Sequence, residues 1–172
     1  MERAAGTNDL TLLQRSAHSL KSNARDLGAM RMADMCQAIE TTLIRYSTGL
    51  DTFDAEMYAS AFTEDAEFTM GNKVYKGRAE IGKIITDMKA DRAKRAADAD
   101  KTNDPPPSMH HVLTNAVIDI VSADKATHRA YWMTVNGGPA MYSFRVAAQG
   151  RYEDELVKRN GQWLIHRRKI LD

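Results

Sequence analysis

The chain has 172 residues, with 24 basic and 23 acidic side chains, a formal net charge of +1 and 43% hydrophobic residues. This balance predicts no general affinity for nucleic acid or anionic membrane lipid, and no uninterrupted apolar run is long enough to span a bilayer. Cys36 is the one cysteine, which excludes an intrachain disulfide and a cysteine-based metal cluster. Residues 1–9 lack the apolar core of a signal peptide, so we expect a cytoplasmic protein.

The first part of the sequence carries helical periodicity. Residues 9–26 and residues 30–49 place apolar side chains at intervals of three and four. Gly28 lies between these segments and predicts a break, because glycine is common just after helix ends. Asp54 is suited to cap a third, short helix that continues through Phe62.

The pattern then changes to strands and returns once to a helix. Residues 66–70 alternate as in a short strand, and the turn Gly71-Asn72 leads into a second strand near residue 75. Residues 78–100 have helical character, although only their first part is amphipathic. The segment 101–108 contains three prolines and is predicted to be a loop that ends this helix.

The last third predicts a four-strand antiparallel meander. Its strand-like segments are residues 111–121, 126–135, 141–158 and 163–171. A turn is predicted at residues 137–139, a bulge or bend at Gly150, and a tight hairpin at Asn160-Gly161. Because a sheet curled around helices buries such an order of elements, the predicted fold class is α+β.

Several motifs resemble SnoaL-like proteins of the NTF2-like superfamily. They are Tyr-x4-Asp and Phe-x-x-Asp-Ala within residues 42–70, the piece YKGRAEI, the strand HHVLTN, and the closing pattern GRY with Trp-x4-Arg. The resemblance covers about four-fifths of the chain and is greatest to dehydrochlorinase and dehydratase members. It implies an N-terminal helical extension at residues 1–35. Residues 36–172 would then form a cone, in which a curved antiparallel sheet wraps around helices and encloses a ligand pocket.

The resemblance also implies site residues. The family's lyases hold a histidine base with an aspartate inside the cone, and these positions fall on His111 and Asp51. Histidine suits proton abstraction because its pKa lies near working pH. Tyr46 and Arg168 fall where the family places groups that assist the leaving group. Side chains that would line the pocket are Phe68, Trp132 and Tyr152.

The function that the resemblance implies is a β-elimination or an isomerisation of a hydrophobic, cyclic small molecule. It implies no metal or organic cofactor, and a homodimer or homotrimer. Cones of this kind also serve as non-catalytic ligand-binding or dimerisation modules, which is the alternative. The individual site residues also have structural explanations. Asp51 is equally explained as the end of a helix, and Arg168 lies in a charged run of a kind that is usually solvated. Phe68, Trp132 and Tyr152 fit an ordinary core.

A second resemblance lies near the N-terminus. The stretch AHSLKSNARDLGAMRMADMCQAIE is similar to the signature of histidine-containing phosphotransfer domains. It implies a helical hairpin on which His18 accepts a phosphoryl group and Lys21, one turn away, holds the phosphoryl oxygens. Such domains are four-helix bundles, and only one hairpin's worth of sequence is present. A dimerisation element and a fused helical remnant are therefore the alternatives.

Overall fold

The computed structural model describes residues 5–99, 108–137 and 144–172. The elements are α1 Ala5–Thr52, α2 Ala55–Ser60, β1 Phe62–Met70, β2 Lys73–Lys76, α3 Arg78–Ala99, β3 Met109–Ser122, β4 Lys125–Gly137, β5 Phe144–Arg159 and β6 Gln162–Leu171. The chain divides into two compact units, residues 1–37 and residues 38–172. Within the described ranges, none of the helices combines the length and apolarity needed to cross a membrane.

The six strands form one open sheet with the order β2-β1-β6-β5-β4-β3. Strands β3 to β6 follow one another as an antiparallel meander, as predicted. Strand β1 forms a hairpin with β2 and runs parallel to β6. This parallel pairing joins the first and the last strand of the chain order, and it places β6 and β5 at the centre of the sheet.

One face of the sheet, called here the inner face, is buried. Successive side chains of a strand point to opposite faces. In β5 the residues Tyr152, Asp154 and Leu156 are buried, while Glu153 and Glu155 between them are exposed. The final turns of α1 are tied to β6 by Thr42, whose hydroxyl donates a buried 2.7 Å hydrogen bond to the carbonyl of Trp163. The sheet and the helices of residues 38–172 therefore share one core.

Local predictions with a strong sequence signal are confirmed. Asp54 caps α2, since its Oδ1 accepts a 2.9 Å hydrogen bond from the backbone N–H of Met57. The helix ends at Ser60, two residues before the predicted end. Asn160 and Gly161 have φ values of 51° and 82°, which the tight hairpin between β5 and β6 requires.

The predicted helix break at Gly28 is wrong. Helix α1 continues through this residue, and nothing lies within 4 Å of the position where a Cβ would be. A glycine inside a helix costs only about 1 kcal/mol relative to alanine, and good helix formers flank it. The hairpin implied by the phosphotransfer resemblance is therefore not formed, and His18 and Lys21 lie exposed on one continuous helix. Phosphoryl transfer at His18 stays a prediction.

The predicted bulge at Gly150 is also wrong. Gly150 pairs regularly with Trp132, and the register shifts lie elsewhere, at Thr134/Val135 and at Glu155/Leu156. A Cβ at Gly150 would stand 2.5 Å from the carbonyl oxygen of Leu171 and 3.0 Å from the indole of Trp132. Gly150 is therefore required because only a residue without a side chain lets the Leu171 carbonyl and the Trp132 indole come this close. Residues 101–107 of the loop predicted at 101–108, most of the turn at 137–139 and the strand start at 141–143 lie outside the described residues.

Candidate active site

The structure brings His111 and Asp51 into contact. Asp51 lies in the last turn of α1, and β3 turns His111 inwards while His110 stays exposed. Nδ1 of His111 lies 2.5 Å from Oδ1 of Asp51. The backbone N–H of His111 also donates to both carboxylate oxygens of Asp51, at 3.1 and 2.9 Å. The side chains of His111 and Asp51 are only 6% and 18% exposed, so the contact is shielded from water.

This contact orients the imidazole. When Nδ1–H donates to the carboxylate, Nε2 of the neutral ring carries a lone pair and is an acceptor. Thr134 is the β4 partner of His111 in the sheet register, and its hydroxyl lies 3.2 Å from Nε2. The Thr134 hydroxyl thus lies next to Nε2, where it can hydrogen-bond a ligand or be displaced by one.

A series of aromatic rings continues from His111 along the inner face. The indole of Trp132 lies 6.1 Å from the imidazole and stacks on Tyr152 at 5.6 Å with an interplanar angle of 16°. Tyr152 in turn meets Tyr46 edge-on at 5.8 Å. Because Gly150 has no side chain, the indole can lie flat over β5 and make this stack.

Phe68 belongs to a neighbouring aromatic cluster. Its ring is fully buried and lies 6.0 Å from Phe62 and 5.9 Å from Tyr75. Phe62 is 5.8 Å from Tyr46. Phe68 is thus linked to the series of rings through Phe62, whereas Trp132 and Tyr152 contact one another.

Arg168 is buried, although it lies in a charged run. It is 1% exposed, while its neighbours Arg167 and Lys169 point outwards. Its guanidinium carbon lies 3.9 Å from the ring centre of Tyr46 and 4.2 Å from that of Tyr152. At such distances a desolvated cation is attracted by the ring faces. Strand alternation separates Arg168 from the solvated residues on either side of it.

The counterion of Arg168 is Asp154, which the sequence analysis missed. Nε of Arg168 donates to Oδ1 of Asp154 at 2.7 Å, and Nη2 donates to Oδ2 at 2.6 Å. Nδ1 of His128 lies 2.7 Å from the same Oδ2. These three residues face one another across β6, β5 and β4. The inner face therefore holds a second Asp–His pair, completed by an arginine.

The alternation of side chains along a strand is a signal that predicts the inner-face positions of Asp154 and His128. With Tyr152 assigned to the inner face, a period of two also assigns Asp154 to it. With Trp132 on the inner face, the same period assigns His128 and Thr134. Only a known register brings His128 opposite Asp154, and that register depends on pairing between distant segments.

Asp154 and Arg168 shift one another's pKa values. Burial by itself would raise the pKa of Asp154, but the charge and hydrogen bonds of Arg168, together with His128, outweigh burial and hold the pKa below its ordinary value. Burial by itself would lower the pKa of Arg168, but the charge and hydrogen bonds of Asp154 outweigh burial and raise this pKa. Burial, reinforced by Tyr46, raises the pKa values of Tyr58 and Tyr152 above that of free tyrosine. Asp154 and Arg168 thus stay ionised, while the phenols of Tyr58 and Tyr152 stay neutral.

Two buried polar atoms of the second cluster are unpaired. Nη1 of Arg168 and Nε2 of His128 have no hydrogen-bond partner in the described structure. Grooves lined by described residues lie away from His111, one on the opposite face of the sheet and one around Phe53 and Lys89. The described part of the chain holds no group of three or more His, Cys, Asp or Glu residues suited to a metal ion.

Residues 31–169 match the family model described as the SnoaL-like domain. This chain belongs to the SnoaL-like family. Among solved structures, the SnoaL-like chain is similar to a putative scytalone dehydratase from Novosphingobium aromaticivorans, with 25% identity, a TM-score of 0.61, and coverage of 83% of this chain and 86% of the other. No curated protein sequence matches it significantly.

Two further structures share the fold of this SnoaL-like protein. An NTF2-like protein with a cystatin-like fold from Novosphingobium aromaticivorans is 23% identical, with a TM-score of 0.64 and coverage of 83% and 84% of the two chains. LinA is 19% identical, with a TM-score of 0.64 and coverage of 82% and 87%. The predicted family and the α+β, NTF2-like class are therefore confirmed.

Proposed function

We propose that this SnoaL-like protein is a cofactor-independent lyase or isomerase in which His111 is the base. The observation that supports this most is the shielded 2.5 Å contact between Nδ1 of His111 and Oδ1 of Asp51. It holds the ring from one side and turns Nε2 away from the carboxylate, next to the Thr134 hydroxyl that a substrate would displace. A carboxylate in this position also stabilises the imidazolium that forms when Nε2 takes a proton.

In the elimination, Nε2 of His111 removes a proton from a carbon of the substrate. The electrons of the broken C–H bond form a C=C bond, and the group on the adjacent carbon departs with its bonding electrons. A departing hydroxyl leaves as water once it receives a proton, for which Tyr46 is the proposed donor. In the isomerisation, the same proton returns from His111 to a different carbon of the substrate.

Arg168 is proposed to stabilise an oxygen of the substrate or of the leaving group. Its Nη1 is buried and has no hydrogen-bond partner, whereas Nε and Nη2 are held by Asp154. A fixed donor in a dry environment stabilises developing negative charge without reorganising during the reaction. The name of the relative described as a putative scytalone dehydratase supports water loss rather than halide loss.

The substrate is proposed to be hydrophobic and cyclic. The stacked rings of Trp132 and Tyr152 make the region between His111 and Arg168 apolar, and Phe68 extends these aromatic surroundings through Phe62. Mostly apolar walls with a few fixed polar groups are typical of small-molecule sites.

The test uses a panel of cyclic β-hydroxy ketones in D₂O. Enone absorbance reports elimination, and NMR of recovered substrate reports deuterium at the carbon beside the carbonyl. We expect His111→Gln and Asp51→Asn each to lower the rate by about 10²–10⁴-fold, the usual contribution of a general base. The matched control is His110→Gln, because His110 is exposed on the same strand and should leave the rate unchanged.

The outcome separates the proposal from its alternative. Elimination or exchange that needs His111 and Asp51 but not His110 supports the lyase or isomerase. If compounds of the panel bind, yet neither reaction depends on His111, the protein is a non-catalytic ligand-binding module instead.

A further inference from the structure

Strand β4 places an unpaired polar group on the inner face beside the candidate base. Trp132, Thr134 and Asn136 occupy every second position of β4, and Thr134 is the residue opposite His111. Oδ1 of Asn136 is buried and has no hydrogen-bond partner in the described structure. Because a buried acceptor without a donor is costly, Asn136 indicates a place where a further donor group completes the site.

A β-bulge brings a cation to the same place. One step along β4, from Thr134 to Val135, corresponds to two steps along β5, so β5 holds one extra residue here. With uninterrupted pairing Val146 would stand opposite Asn136, whereas the bulge places Arg145 there. Directly opposite residues of an antiparallel pair point to the same face of the sheet. The bulge therefore exchanges an apolar side chain for a guanidinium on the inner face.

Arg145 lies where the inner face opens to solvent. Arg145 and Ala148 are exposed, although both are paired with inner-face residues of β4. Further along β5, Gly150 and Tyr152 are buried. None of the ion pairs formed between described residues includes Arg145. An anion that enters the site from solution therefore meets a cation without a counterion.

We propose that Arg145 binds a carboxylate of the substrate, so that the substrate is a cyclic carboxylic acid. This inference rests on the proposed function, because it names the substrate class of the same site. A guanidinium binds a carboxylate through two parallel N–H···O hydrogen bonds and thus recognises both its charge and its planar shape. Oδ1 of Asn136, opposite in the register, is the acceptor for a further N–H of this guanidinium.

The strand register also sets the distance between the carboxylate and the reacting carbon. Arg145 belongs to the row of Asn136, and His111 belongs to the row of Thr134, two residues away along β4. The rise of a strand makes these rows about 7 Å apart. A carboxylate and an acidic carbon on opposite sides of a single six-membered ring match this spacing. The apolar part of such a ring is then left to the aromatic region beside His111.

The test uses compounds that differ only in this charged group. The substrates are a cyclic β-hydroxy ketone with a ring carboxylate and the carboxamide of the same ring. Three cyclohexenones mimic the product, and they bear a carboxylate, a carboxamide or an aminomethyl group. NMR titration gives the dissociation constants of the cyclohexenones, and elimination kinetics give kcat and KM of the substrates.

The variants are Arg145→Gln and Arg145→Glu, and the matched control is Arg151→Glu. Arg151 is exposed on the same strand, between the buried residues Gly150 and Tyr152, and so points to the opposite face. The control changes the net charge as much as Arg145→Glu does, which separates a local contact from a general effect of charge.

We expect the wild type to bind the carboxylate at least about tenfold more tightly than the carboxamide, as a charge-assisted hydrogen bond predicts. Arg145→Gln should remove this preference and raise KM for the carboxylate substrate with kcat nearly unchanged, because the carboxylate does not react. Arg145→Glu should instead prefer the aminomethyl compound. Arg151→Glu should keep the preference of the wild type.

Titration of His111→Gln distinguishes failure of this inference from failure of the proposed function. This variant should keep the preference for the carboxylate while its elimination rate falls. If neither elimination nor exchange depends on His111, yet the preference depends on Arg145, the proposed chemistry fails and the carboxylate site stands. A wild type that binds none of the compounds or lacks the preference overturns the inference. A preference that survives Arg145→Gln, or is lost equally in Arg151→Glu, does so too.

Discussion

Asp154→Asn is the substitution that most sharply tests how the inner face is held together. Asp154 accepts two hydrogen bonds from Arg168 and one from His128, and the three side chains are all 0% exposed. The amide that replaces the carboxylate has nearly the same shape but no charge. Arg168 would then remain as a buried cation whose counterion is gone.

The expected loss follows from that uncompensated charge. Breaking a buried ion pair by removing one partner costs about 3–5 kcal/mol, and no solvent screening reduces this at a site that is fully buried. For a chain of this length, about 4 kcal/mol corresponds to a fall in Tm of roughly 8–16 °C. The double variant Asp154→Asn/Arg168→Met removes the stranded cation as well and should lose less stability than the single variant.

Urea unfolding at pH 7 measures both free energies of unfolding, and equal slopes of the transitions show that the comparison is valid. The difference between the wild type and Asp154→Asn should also depend on pH. The folded-state pKa of Asp154 is lowered from 3.8, so its contribution is full above about pH 4 and is lost as pH falls through the lower, folded value. A double variant less stable than the single one, or a difference in stability that does not shrink as pH falls below 4, would contradict this explanation.

Three further predictions concern packing and ionisation. Gly150→Ala should destabilise the protein by about 1–3 kcal/mol and shift the fluorescence of Trp132, because the new methyl group meets the indole. Burial raises the pKa of Tyr58 in the folded protein, so above pH 10 this residue should lower the free energy of unfolding by up to about 1.4 kcal/mol per pH unit. Tyr58→Phe should therefore flatten this part of the stability profile measured by urea unfolding. Thr42→Val should cost about 1–2 kcal/mol by thermal unfolding, since it removes the buried bond to Trp163.

Features set by a few adjacent residues could be predicted from the sequence. The Asp54 cap and the Asn160-Gly161 hairpin depend on local backbone geometry that few residue types satisfy. The helix break predicted at Gly28 is wrong because a glycine inside a helix costs little free energy relative to alanine, and the residues around it favour the helix. The bulge predicted at Gly150 is wrong because glycine is needed there for a different reason. It leaves room for the indole of Trp132, which is 18 residues away in the sequence.

The candidate site was only partly visible in the sequence for a related reason. Family motifs named Asp51 and His111, which are 60 residues apart, and no local pattern could show that they touch. Asp154 and His128 carry no motif, and they become partners only through the register of β4 with β5. Burial of Arg168 likewise depends on the pairing of β6 with β5, since a charged run by itself indicates a solvated surface.

The tautomer of His111 shows directly whether Asp51 prepares it as a base. It is read from long-range ¹H–¹⁵N NMR of the imidazole nitrogens and assigned through the signals missing in His111→Gln. We expect a proton on Nδ1 and a lone pair on Nε2 in the neutral ring, with this preference weakened or lost in Asp51→Asn. A proton on Nε2 in the wild type, or a tautomer that does not respond to Asp51→Asn, would contradict the claim that Asp51 prepares His111 as a base.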